Sequence, residues 1–175
     1  MSHKFLFFSA LIPILILACN GKPESGTAAA PGGKPIGEVP PGNYLSMKIN
    51  GVEWKADNDL FGAFHPKGYN KAIIISGSKG PKKKDEQTFN INLYNTEGPG
   101  TYQFKTGNPD LNVAQLGNLS PANYMYGNVM GFDMTVKVTK ASTNPDIIEA
   151  TFEGSLNGNA GDVLKVTEGK FYYHE

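Results

Sequence analysis

From residue 43 onward, apolar residues recur at every second position. Phe89, Ile91 and Leu93 alternate with Asn90, Asn92 and Tyr94. Phe132, Met134, Val136 and Val138 alternate with Asp133, Thr135, Lys137 and Thr139. Ile148, Ala150 and Phe152 do the same with Glu149, Thr151 and Glu153. Successive side chains of a strand point to opposite faces, so each run predicts an antiparallel strand with one face in a core and one in water. Ile73-Ile74-Ile75 is β-branched throughout and predicts a strand buried on both sides. No stretch carries a convincing helical period. Leu111 to Leu119 comes nearest, and its Asn and Gly residues and the following Pro121 argue against it.

Turn signals separate these runs. Asn50-Gly51, between Leu45–Ile49 and Val52–Lys55, predicts a two-residue hairpin, because such turns need positive φ at both central positions. Gly80 to Glu86 predicts a charged loop between two strands. Gly98-Pro99-Gly100, Asn144-Pro145-Asp146 and Asn157 to Asp162 predict further turns. About nine short strands at this spacing read as one all-β domain over residues 43–175, a single antiparallel β-sandwich or partly closed barrel. No internal repeat is evident.

The chain before residue 43 follows other rules. Met1-Ser2-His3-Lys4 precedes an uncharged run from Phe5 to Ala18, the pattern of a cleaved export signal over residues 1–18. As a helix, fourteen residues would span roughly 21 Å, less than a hydrocarbon core of about 30 Å, and Pro13 interrupts them. Residues 19–42 read as a tether. Of the 23 residues from Asn20 to Gly42, 14 are Gly, Pro or Ala, too few large apolar groups to offset ordering entropy.

Ile16-Leu17-Ala18-Cys19 resembles the lipobox of bacterial lipoproteins. The resemblance implies a diacylglycerol on the Cys19 sulfur, cleavage before it, and a membrane partner held through acyl chains. Two or three chains exceed the marginal affinity of one. Asn20, rather than Asp, implies the outer membrane and leaves the periplasmic or cell-surface face open. An ordinary signal followed by a chance cysteine is the plainer alternative.

Composition narrows the function. All 16 basic residues are Lys, none is Arg, and the formal net charge is zero. Without guanidinium forks or excess positive charge, the chain is a poor nucleic-acid binder. Its one cysteine is Cys19, so thiol catalysis and zinc–thiolate sites are excluded from the domain.

A second resemblance covers roughly residues 43–175. The opening Ile49-Asn50-Gly51-Val52-Glu53-Trp54-Lys55-Ala56 carries it, with the closing runs Phe132–Val138, Ile148–Gly154 and Leu164–Phe171 and the tail Glu168-Gly169-Lys170-Phe171. Together they resemble a family of small, uncharacterised β-domain lipoproteins of Gram-negative bacteria. That implies an all-β fold and brings no catalytic residues.

Candidate chemistry is sparse. Asp57-Asn58-Asp59 followed by His65 offers carboxylates, an amide and an imidazole to a cation, although a polar loop between strands explains them equally. Asn157 to Asp162 invites the same two interpretations. Lys82-Lys83-Lys84 could attract an anionic surface, but Asp85 and Glu86 cancel much of its field. Sugar-binding β-sandwiches stack pyranose faces on aromatic rings, which nominates Trp54, Tyr94, Tyr124 and Tyr126 among Tyr69, Tyr172 and Tyr173. The alternative is that these rings are core.

No nucleophile elbow, zincin helix or phosphate loop is present, and His65 and His174 are the histidines outside the signal. The expectation is a lipid-anchored, monomeric, non-catalytic binding or structural module without a cofactor, its partner a glycan or a protein. Competing with it are a polysaccharide or cell-wall hydrolase whose carboxylates come from distant strands, and a secretion-associated inhibitor.

Overall fold

The structure is a computed structural model that describes Val39 and residues 41–66, 71–105, 111–128 and 134–175. These residues form β1 (Tyr44–Ile49), β2 (Val52–Lys55), β3 (Asn58–His65), β4 (Ala72–Lys79), β5 (Gln87–Tyr94) and β6 (Gly100–Phe104). They continue with β7 (Val113–Gly117), β8 (Met125–Asn128), β9 (Met134–Ser142), β10 (Ile147–Gly158) and β11 (Val163–His174). No helix occurs among the described residues. The described residues are all-β, as the period-two pattern requires, with two more strands than the nine expected. The stretch nearest to a helical pattern, Leu111–Leu119, contains β7.

All pairings are antiparallel. Nine strands run in the order β2-β1-β11-β10-β8-β7-β5-β4-β3, while β9 joins β10 and β6 joins β9. The sheet therefore divides at β10: its first half pairs with β9 and its last residues pair with β8. Curling brings the two parts face to face as a half-barrel. Phe89 of β5 stacks on Phe152 of β10 with ring centroids 5.4 Å apart, and Trp54 of β2 meets Phe89 at 6.1 Å. One apolar cluster fills the space, including Leu45, Ile73, Ile75, Ile91, Leu116, Val136, Ile148, Val166 and Phe171.

Local sequence explains the elements. Phe89, Ile91 and Leu93 are buried and Asn90, Asn92 and Tyr94 are half-buried, the alternation their residues predict. Asn50 and Gly51 both have positive φ, 48° and 83°, and pair Ile49 directly with Val52. The hairpin tip is then fastened to β11: the Asn50 amide donates to the Lys165 carbonyl and the Lys165 amide to Asn50 Oδ1, each at 2.8 Å. The isoleucine run differs from expectation. Ile73 and Ile75 are fully buried, whereas Ile74 faces outward and is half-covered, so β4 is buried on one side. β-branching marked the strand and not the burial of both its faces.

The long closing strand carries one irregularity that shapes the surface. Its register slips against β1 between Ser46 and Lys48, and against β10 between Phe152 and Gly154. Glu168 lies within the slip at φ 54°. This is a β-bulge, which bends the strand and re-aims its side chains.

Candidate functional site

The residues nominated from sequence scatter. Trp54 is 2% exposed and its Nε1 donates to Gln87 Oε1 at 2.8 Å, so it is core. Tyr126 is equally buried, and its hydroxyl donates to Asp162 Oδ2 at 2.8 Å. Burial first, and then the bond to Asp162, push the Tyr126 phenol above its ordinary range. Tyr94 is half-buried at the end of β5, where its backbone amide donates to Asn112 Oδ1. Tyr124 is 60% exposed before β8. Among the described residues no ring pair joins any two of these four. Tyr69 and Cys19 lie outside the described residues.

The Asp57–His65 group is used otherwise. Asp57 Oδ1 accepts from Asn58 Nδ2 at 2.7 Å and from the Gly80 amide at 3.0 Å, which ties the residue before β3 to the residue after β4. Asp59 pairs with Lys82 Nζ at 2.7 Å, and His65 is exposed at the end of β3. Among the described residues no three His, Cys, Asp or Glu side chains gather as a metal would need. In the second loop Asn123 Oδ1 accepts the Ala160 amide, and Asp162 takes the Tyr126 hydroxyl. Both segments are fastened turns. Of the lysine run, Lys82 faces Asp59 while Lys83 and Lys84 are exposed.

What the fold does gather lies on the outer face of β6, β9, β10, β11, β1 and β2. Register places Thr101 opposite Lys137, Lys137 opposite Thr151, and Thr151 opposite Lys170. Lys170 lies opposite Ser46, and Ser46 opposite Lys55. Hydroxyl and ammonium groups thus alternate in one row across six strands. With neighbouring strands about 4.8 Å apart, consecutive lysines of the row stand roughly 9.6 Å apart. All three lysines are exposed, and none has an ion-pair partner among the described residues.

Two further rows flank it. On one side stand Thr135, Glu153, Glu168, Lys48 and Glu53, with Lys48 Nζ 2.7 Å from Glu168 Oε1. On the other, Tyr44 lies opposite Tyr172, and Tyr172 opposite Glu149. The two tyrosine rings stack with centroids 6.1 Å apart and planes at 28°. Sequence reading missed Tyr44, although its alternation with buried Leu45 puts it on the wet face beside Ser46.

The bulge opens a trough through these rows. Where β10 and β11 slip past each other, Glu168 stands out of register. An open depression of about 360 Å³ results, lined by Thr101, Lys137, Thr151, Glu153, Glu168 and Lys170 among others. It shares Glu168 and Lys170 with a neighbour of about 230 Å³ toward β1, and Thr135 and Glu153 with one of about 620 Å³ toward the start of β11. Chemically this surface can donate hydrogen bonds from ammonium and hydroxyl groups, accept them at carboxylates, and stack a flat apolar face. No helix among the described residues is long and apolar enough to cross a membrane. No family model matches the chain, and neither does any curated protein or solved structure with which it was compared.

Proposed function

We propose that the chain is a lipid-anchored, non-catalytic binding module of the bacterial cell envelope that takes an extended glycan on the outer face of β6-β9-β10-β11-β1-β2. The observation that carries this reading is the row Thr101–Lys137–Thr151–Lys170–Ser46–Lys55, continuous across six strands and bordered by the Tyr44–Tyr172 pair. A trough open along its length suits a polymer more than a small molecule, which a concave pocket would enclose. The anchor rests on Ile16-Leu17-Ala18-Cys19 and the tether on residues 19–42, which would hold the domain clear of the headgroups.

The test expresses the full chain in a Gram-negative host. Acyl label should enter the protein and be lost in Cys19→Ser. The solubilised protein should be retained by purified envelope polysaccharide, and the double variant Tyr44→Ala, Lys170→Glu should not. Equal retention of the variant, or none of the parent protein, would overturn the binding reading. Acyl labelling of Cys19→Ser would overturn the anchor.

A further inference from the structure

We infer that the glycan this face accepts is acidic and linear, with one anionic group on about every second sugar, laid across the strands along the lysine row. The inference rests on the binding reading above and adds the ligand's charge and its period.

Three observations converge on it. The first is spacing: Lys137, Lys170 and Lys55 recur at every second strand, roughly 9.6 Å apart, with Thr151 and Ser46 between them. A polysaccharide carrying a carboxylate on alternate sugars repeats its charge over a similar length. Each ammonium could then meet an anion while the intervening hydroxyls meet the uncharged sugars. The second is the acidic border. Glu153, Glu168 and Glu53 stand one row away, and Glu153 and Glu168 line the trough itself. Those carboxylates would repel a polyanion that has only acceptors, but they accept hydrogen bonds from sugar hydroxyls. The pairing of a cationic row with an anionic border therefore selects an acidic glycan over a bare polyphosphate. The third is the Tyr44–Tyr172 pair on the opposite border, which presents a ring surface where a pyranose can stack.

The full-length chain in detergent would be titrated calorimetrically with four probes: a hyaluronan decasaccharide, a polygalacturonate of equal length, a neutral cello-oligosaccharide and polyphosphate. Hyaluronan, charged on alternate sugars, should bind about tenfold tighter than each of the others. The exposed pair Lys137→Glu, Lys170→Glu should weaken it by tenfold or more, and Tyr44→Ala several-fold. The pair Lys83→Glu, Lys84→Glu, on the Gly80–Glu86 loop outside the row, should leave it unchanged. Polyphosphate binding as tightly as hyaluronan, or an equal loss in the loop variant, would mean ion exchange and overturn the inference. Equal binding of polygalacturonate would overturn the period. If no probe binds while envelope polysaccharide still retains the chain, the acidic assignment fails alone; if retention is lost as well, the binding reading fails with it.

Discussion

Gly169 faces Phe152 across the β10–β11 pair, and a methyl group on its Cα would overlap both the Phe152 ring and the Phe152 carbonyl oxygen. A ring can turn aside, but the carbonyl belongs to the sheet. Inserting a methylene into a packed site costs about 1–3 kcal/mol, and overlap with backbone places Gly169→Ala at the upper end or above it. Urea unfolding should show the midpoint falling with little change in slope. A loss below about 0.5 kcal/mol would mean the bulge relaxes freely and does not hold the trough in shape. Glutamate-Gly-Lys-Phe reads in sequence as an ordinary strand end. Only the register slip reveals that Gly169 is required by its neighbour, since the neighbour comes from another strand.

Single residues also tie elements together. The Tyr126 hydroxyl joins β8 to the turn between β10 and β11 through Asp162. Its phenol is held protonated above the ordinary range, by burial first and then by Asp162; burial likewise raises Tyr102 and Tyr173. The sign follows from linkage. In the unfolded chain tyrosine loses its proton near pH 10, while these three keep theirs to higher pH when folded. Their contribution is fully present below about pH 10 and is lost as pH rises through the folded values. Tyr126→Phe should cost about 1 kcal/mol at pH 7. Stability of this variant should then fall less steeply than that of the parent above about pH 10. Identical slopes in alkaline urea titrations would mean the Tyr126 phenol ionises as freely in the folded protein as in the unfolded chain.

At the scale of elements, legibility followed the length of the alternation. β5, β9 and β10 carry three or more apolar residues at period two, and the Asn50-Gly51 hairpin announces itself by turn chemistry alone. Gly100-Thr101-Tyr102-Gln103-Phe104 and Val113-Ala114-Gln115-Leu116-Gly117 are short and carry small or polar residues, so β6 and β7 did not stand out. Two of the nominated aromatics are buried for a related reason. Large rings fill cores as readily as they line sites, and Trp54 and Tyr126 went to the core. The lysine row had no signature along the chain, because its six members come from six strands and meet only through register.

In the molecule as a whole, the two parts of the sheet spend their apolar faces on each other, which leaves the outer faces to polar and charged groups. One of them combines a lysine row without ion-pair partners among the described residues, an acidic border, stacked tyrosines and a trough beside a bulge. An antiparallel sheet tolerates such a wet face without loss of stability, so the face can vary its chemistry while the core stays fixed.

The most direct test of that account is amide chemical-shift mapping of the protein as purified envelope polysaccharide is added. The account predicts that shifts concentrate at Ser46, Lys55, Thr101, Thr151, Lys170 and Tyr172, with Tyr126 little changed. Shifts centred on Tyr126, or on the exposed loop around Tyr124, with the lysine row silent, would contradict it.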